Sequence, residues 1–314
     1  MLPRIVIGPF AIPPYSLMLL LGAVAFTVAT ILLLERGVKV KEAVTNRLLI
    51  ISLFGFGALG LFAFLFNSLF HSIEEGRLVL GGITWLGGVI GAFPLTVLMI
   101  HKFCPYVKGE ALRYFGYLVP GITLAHGFGR IGCFLGGCCY GGVTDGLLGV
   151  RFPEGSIAAQ KFPDTIHGGS LPLLPTQLME AVFDLVLFIV MIALFKYLKE
   201  HYLELFAVSY GVFRFILEFW RADDRGSTGL LLSPSQIMSL ILILGATLVI
   251  LYKRGMIFKG TRARMEEYAS LGDARIVTNR AMSLLRQLDE LRREGVITDE
   301  EFDARKSEIL KNIK

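Results

Sequence analysis

The sequence predicts an all-α fold: a polytopic membrane bundle of about seven transmembrane helices, plus a short cytoplasmic helical hairpin. Three observations predict it. Of the 314 residues 54% are hydrophobic, with a mean hydropathy of +0.63. Several apolar runs are longer than a globular core helix requires. Beyond about Thr261 the composition turns abruptly to charge. The chain therefore divides into a transmembrane region over 1–258, a linker over 259–280 and a helical hairpin over 281–314.

At about 20 residues per crossing, the spans centre near Leu20, Gly60, Val89, Leu118, Phe188, Phe213 and Leu242. Pro3, Pro9, Pro13 and Pro14 precede the first, with no small-residue cleavage pattern of an export signal. Thr123 and His126 interrupt the fourth, and Arg214 with Glu218 interrupts the sixth. Apolar residues cover every side of 61–70 and 240–251, so periodicity does not separate a lipid-facing side from a bundle-facing one.

Basic residues set the expected orientation. Arg36, Lys39, Lys41 and Arg47 follow span one; Lys102, Lys108 and Arg113 follow span three; Lys196 and Lys199 follow span five; Lys253, Arg254, Lys259, Arg262 and Arg264 follow span seven. These segments should be cytoplasmic. The alternate segments hold Arg77, Arg151, Lys161, Arg221 and Arg225 among acids, which places the N-terminus outside and the tail inside. The net charge of +5 then reports topology, and no nucleic-acid partner is expected.

Chemistry concentrates where span four meets the outer boundary, in the run from His126 to Gly141 with Arg130 and Cys133, Cys138 and Cys139. Arg130 cannot shed its proton, and at membrane depth it needs an anionic partner, for which a lipid phosphate is suited. Arg214 and Glu218 are four apart on one helical face, with Arg221 continuing it. They make either a neutralising intrahelical pair or, with Arg130 on the same side, an anion site. Tyr15, Gln177, Glu180 and Tyr210 are further polar candidates.

The order and spacing of several short motifs carry a resemblance. They are Ile7-Gly8-Pro9-Phe10 with Tyr15, Gly81-Gly82-Ile83-Thr84-Trp85-Leu86-Gly87-Gly88, Gly129-Arg130-Ile131-Gly132 with Phe134 and Gly141, Pro175-Thr176-Gln177-Leu178-Met179-Glu180, the segment from Tyr210 to Arg221, and Leu232-Ser233-Pro234-Ser235-Gln236. Across roughly 5–255 the chain resembles the prolipoprotein diacylglyceryl transferase family. The resemblance implies a bacterial inner-membrane enzyme that moves the diacylglyceryl group of phosphatidylglycerol onto the lipobox cysteine of a preprolipoprotein, releasing glycerol phosphate. Its implied partners are phosphatidylglycerol, the preprolipoprotein signal peptide and membrane lipids. It implies that Arg130 holds the headgroup, that Arg214 gathers charge on the leaving glycerol phosphate with Glu218 orienting it, and that Tyr15 and Tyr210 donate hydrogen bonds. Gln177, Glu180 and Arg221 complete the expected substrate site.

The departures are equally specific. The family's usual His is Leu86 here, its Arg near the second span is absent from Gly57-Ala58-Leu59-Gly60, and its Asn-Phe-x-Asn-Gly-Glu is Cys133-Phe134-Leu135-Gly136-Gly137-Cys138. Two amides and a carboxylate are gone. His126, one turn before Arg130, is expected to replace the missing base; the alternative is a core histidine bonded to a backbone carbonyl. Cys133 is expected to pair with Cys138 or Cys139 if the site faces an oxidising compartment, or else to form a thiol cluster with them. Cys-x4-Cys-Cys is not a standard zinc spacing, and neither metal nor cofactor is expected. The Gly- and Pro-rich loop over 141–174 is expected to lie outside as a lid.

In the tail, Leu284, Leu285, Leu288, Leu291 and Val296 keep helical spacing, Gly295 breaks it, and Thr298 with Glu301 forms a capping box. The stretch resembles the short C-terminal domain called SHOCT, which implies an element for partner binding or self-association without chemistry. Two functional classes remain: the transferase acting with altered residues, and a catalytically inactive homologue that binds anionic lipid or preprotein. A transporter has little support without an internal repeat or paired broken helices.

Overall fold

The computed structural model describes residues 5–7, 10–223, 231–294 and 296–311. Pro3, Gly8, Pro9, Arg225 and Gly295, each used above, lie outside them. The helices run in chain order as α1 (Pro14–Ile31), α2 (Glu42–Glu75), α3 (Trp85–Phe103), α4 (Ala111–Gly136), α5 (Ile157–Lys161), α6 (Thr176–Ala193), α7 (Phe195–Leu198), α8 (Tyr202–Leu217), α9 (Pro234–Lys253), α10 (Lys259–Arg293) and α11 (Asp299–Lys311). A small antiparallel hairpin, β1 (Ile5–Ile7) with β2 (Phe10–Ile12), precedes α1 and was not expected.

Among the described residues six helices are long and apolar enough to cross a membrane: α1 with its extension to Val38, α2, α3, α4, α6 and α9. The expected sixth span is α8, which at 16 residues is short of a full crossing and is continued by a single 3-10 turn, Glu218–Trp220. Its shortness has a cause in the sequence, since Arg214 and Glu218 end its apolar run. The interrupted fourth span is fully formed, because His126 and Thr123 face inward and are buried.

Helix α4 is the hub. It packs on α1, α3, α6 and α8, and half of its membrane-length window is buried, against 28–39% in the other spans. Small residues permit the close approach. A Cβ at Gly22 of α1 would lie 3.0 Å from the Ala125 carbonyl of α4, and one at Gly88 of α3 would lie 2.6 Å from the Leu59 carbonyl of α2. Large apolar residues such as Leu20, Leu53, Phe54 and Ile189 point outward, as lipid-facing positions do. Within 61–70 the two sides now separate: Leu61, Leu65 and Leu69 are exposed, whereas Ala63, Asn67, Ser68 and Phe70 are buried.

The segment between α4 and α6 is a folded cap rather than an open loop. Tyr140, Phe152, Ala158 and Leu173 form its core, and short bridges join Val143 and Val150 to Leu173. Asp164 fastens one side of it, accepting from the backbone N–H of His167 and Ile166 and from the side chains of Arg151 and His167. The His167 backbone bond, together with Arg151, holds the Asp164 carboxyl below the ordinary carboxylate range.

At the opposite end of the bundle the residues read as a linker are helical. They belong to α10, a 35-residue helix that runs on into the tail and packs on the turn Pro105–Glu110. A Cβ at Gly109 would strike the Met265 carbonyl. The Thr298 and Glu301 capping box forms: Glu301 N–H donates to Thr298 Oγ1 at 3.2 Å, and Thr298 N–H to Glu301 Oε2 at 3.0 Å. Arg292 lies over the Phe302 ring at 4.5 Å, joining α10 to α11.

Candidate active site

Four helix ends converge beneath the cap. Helix α4 presents His126, Arg130 and Cys133 along one face. Helix α6 presents Gln177, Glu180 and Asp184, which are completely buried, at helical spacing. Helix α8 and the turn after it supply Tyr210, Arg214, Glu218 and Arg221. Helix α9 supplies Ser233 and Ser235 at its start, where Ser233 and Gln236 form a capping box.

Glu180 is the centre of the first group. Its Oε1 accepts from Tyr210 Oη at 2.6 Å and lies 2.9 Å from Arg130 Nη2; its Oε2 is 3.7 Å from Arg221 Nη1. Arg130 Nε donates to His126 Nε2 at 3.2 Å, and the other ring nitrogen lies 2.8 Å from Asp184 Oδ2, close but off the hydrogen-bond line. The imidazole is stacked on Trp85 at 4.2 Å and meets Tyr210 edge-on. His126 therefore reaches the residue next to Leu86 from a different helix. In this arrangement Nε2 accepts from Arg130 and Nδ1 faces the Asp184 carboxylate without an aligned hydrogen bond, and no backbone carbonyl takes part.

Arg214 is the centre of the second group. Its Nη1 is 2.6 Å from Glu218 Oε2 and its Nη2 donates to Ser235 Oγ at 3.0 Å, while Ser233 Oγ donates to Glu218 Oε1 at 2.8 Å. Arg221 makes a two-pronged contact with Asp223, at 2.8 Å for both bonds, with its own side chain only 2% exposed. The three guanidiniums are thus matched by Glu180, Glu218 and Asp223, which is what makes their burial tolerable. The match is incomplete: Arg214 Nη1, Arg221 Nη1, Glu180 Oε2 and Glu218 Oε2 are buried without an aligned hydrogen bond. Buried guanidinium donors without an aligned bond fit an anion.

The cysteines lie on the cap side of this cluster, and no disulfide joins them. Helix α4 ends in a Schellman turn: Gly137 is left-handed at φ +69°, Cys138 N–H donates to Cys133 O at 3.1 Å, and Gly137 N–H to Phe134 O at 3.2 Å. That turn sets Cys138 beside Cys133. Cys139 is itself left-handed at φ +60°, a conformation that costs on the order of 1–3 kcal/mol without glycine. Its backbone is held by Thr176 Oγ1 donating to Cys139 O at 2.9 Å and Gln177 Nε2 donating to Cys138 O at 2.6 Å. The three Sγ atoms lie within 4.8 Å of one another. Gln177 is therefore a brace for the thiol turn. Tyr15 packs against Gly132, one residue before Cys133. At Gly141 a Cβ would lie 2.7 Å from the Trp220 carbonyl and 2.8 Å from that of Leu174, so the strand leaving the thiols fits only glycine.

Beneath the polar cluster is an apolar cavity of about 190 Å³ between α2, α3, α4, α8 and α9. Its upper wall is one turn from the site on three helices: Val89 below Trp85, Ile122 below His126, and Phe206 below Tyr210.

The family model of prolipoprotein diacylglyceryl transferase matches residues 4–252. The chain belongs to the prolipoprotein diacylglyceryl transferase family. Among its relatives, the phosphatidylglycerol–prolipoprotein diacylglyceryl transferase 2 of Clostridium perfringens is 34% identical over 183 residues, which are 58% of this chain and 64% of the relative. The enzyme of that name from Clostridium tetani is 35% identical over 52% of this chain and 61% of its own. The matched region thus spans somewhat less than two thirds of these two relatives. The namesake of Dehalococcoides mccartyi is 27% identical over 79% of this chain and 92% of its own length. The model of the short C-terminal domain matches residues 283–310, within the hairpin of α10 and α11.

Of the residues singled out from the sequence, His126, Arg130, Glu180, Tyr210, Arg214, Glu218 and Arg221 come together in one buried network, and Cys133, Cys138, Cys139, Gln177 and Tyr15 border it. The network also contains Asp184, Asp223, Trp85, Ser233 and Ser235, which sequence reasoning did not assign to it. Asp184 carried a usable signal, a carboxylate four residues after Glu180 inside an apolar span.

Proposed function

We propose that the chain transfers the diacylglyceryl group of phosphatidylglycerol to the lipobox cysteine thiol of a preprolipoprotein, with glycerol phosphate leaving. The observation that carries this reading is the stacking of a buried, arginine-rich cluster directly on an apolar cavity. Such a site matches a ligand with an anionic headgroup and acyl chains. In this reading Arg130, Arg214 and Arg221 take the phosphate, and the unaligned Nη1 donors of the last two are satisfied by its oxygens. Charge that develops on the leaving phosphate is then stabilised by donors already in place. Glu218, Ser233 and Ser235 orient Arg214; Glu180 and Tyr210 orient Arg130. His126, held between Asp184 and Arg130, fixes the Arg130 guanidinium rather than acting as the base.

The clusters of basic residues at the α10 end support a reading with that end in the cytoplasm and the cap, with the N-terminus, outside. The transmembrane unit over 1–258 would act alone, with 259–280 as connection and 281–314 as a hairpin for a protein partner or self-association. Leu86 and the lost amides favour a second reading, a binding-only homologue. A lipobox peptide and phosphatidylglycerol with the purified chain separate the two: glycerol phosphate release that requires the peptide cysteine supports transfer, and lipid binding without release supports the binding protein.

A further inference from the structure

The transferase reading leaves one demand unmet. A thiol must attack as thiolate, yet His126 lies a turn below Arg130 with its Nε2 taken by the Arg130 guanidinium and its Nδ1 turned toward the Asp184 carboxylate. Around Arg130 on the other side, three thiols converge. We propose that Cys133, Cys138 and Cys139 hold a zinc ion whose fourth position takes the acceptor cysteine, so that the metal supplies the thiolate; this assignment of a role rests on the transferase reading.

The local geometry is built for it. The Schellman turn pairs Cys133 with Cys138, and the left-handed Cys139, tied by its carbonyl to Thr176, closes the triangle. Sulfurs on one tetrahedral zinc, at about 2.3 Å from the metal, stand about 3.8 Å apart, so sulfurs within 4.8 Å of one another need only small side-chain rotations. Thiolates select soft or borderline ions. Zinc with three protein ligands and one open position is the catalytic pattern, since a fourth protein ligand would close the site. Three thiolates on zinc leave a net negative charge. Arg130 lies in electrostatic reach of Cys133 and Cys139, and Arg221 in reach of Cys139. The same arginines would bring the phosphate beside the metal.

The step balances without redox change. On coordination the acceptor thiol displaces water and gives its proton to solvent. A sulfur lone pair forms the C–S bond to the glyceryl carbon as the C–O bond to phosphate breaks, and that bonding pair leaves on glycerol phosphate. The zinc stays divalent, and the thioether, a poorer donor than a thiolate, departs. The cysteines would thus stand in for the proton-accepting residues missing at Leu86 and in the 133–138 stretch.

The test uses the full chain, reduced and purified in detergent. Metal analysis is expected to give about one zinc per chain, retained in Cys104→Ser and lost in Cys133→Ser, Cys138→Ser and Cys139→Ser. Cobalt in place of zinc should show a sulfur-to-metal charge-transfer band that grows when a lipobox peptide is added and does not grow with its serine analogue. Chelation of the wild-type chain, which removes the risk of a misfolded variant, should abolish glycerol phosphate release, and zinc should restore it. A reduced chain that takes up no zinc, a Cys133 disulfide that persists in the active protein, or full release after chelation would each overturn the proposal. Zinc binding and a growing cobalt band without any release would instead overturn the transferase reading and support the metal site alone.

Discussion

Glu180 shows how much a single buried carboxylate carries. It has no exposed surface and lies against Arg130, Tyr210 and Arg221. Removing it leaves the buried Arg130 guanidinium without its carboxylate, a loss of about 3–5 kcal/mol, while Arg221 keeps Asp223. Glu180→Ala is expected to lower the thermal midpoint in detergent markedly, and an unchanged midpoint would show that the pair is not closed in the protein. His126 tests a different point. Its Nε2 accepts from Arg130, a role that the amide oxygen of Gln can fill. His126→Gln is expected to keep most of the release rate and His126→Ala to lose at least about tenfold; equal loss in both would return His126 to the role of base. The residue-level site was legible in outline because charges inside apolar spans draw attention to themselves. Asp184 carried the same signal and was passed over; Trp85 carried none, since nothing in sequence tells that α3 faces His126.

At the scale of elements, the long apolar spans were readable from length and composition alone. Helix α8 was the exception: its apolar run stops where Arg214 and Glu218 begin, and the buried ion-pair cluster occupies the residues a full crossing would need. The cap was expected as a loop because its bridges are isolated and its small core draws on residues far apart, from Phe134 to Leu173. The stretch 259–280, read as a linker, is helical because its charged surface covers a helix that is supported by docking on Pro105–Glu110. The cap's dependence on glycine gives a prediction. Gly141→Ala would push a methyl group against the carbonyls of Trp220 and Leu174, separating the thiol turn from Arg221. Release is expected to fall by about a hundredfold or more, as small misplacements in an active site do, with the helical circular dichroism retained. Wild-type rates in that variant would show that the cap does not position the chemistry.

For the whole molecule, the division of labour follows depth. Apolar cavity, buried charges, thiols and cap succeed one another along the bundle axis, so a lipid can place its chains low and its phosphate under the acceptor peptide. Gly245 lines the cavity with open space beside it. Gly245→Leu is expected to raise KM for long-chain phosphatidylglycerol several-fold while leaving a short-chain analogue nearly unaffected; equal effects on both would mean that acyl chains lie elsewhere.

The most direct measurement of the whole account is glycerol phosphate release from phosphatidylglycerol in the presence of a lipobox peptide, compared between the wild-type chain and Arg130→Ala. Release by the wild type is expected, with a fall of at least about a hundredfold in the variant, the usual cost of losing a charge-stabilising donor. Equal release by both chains, or none from the wild type beside an active relative, would contradict it.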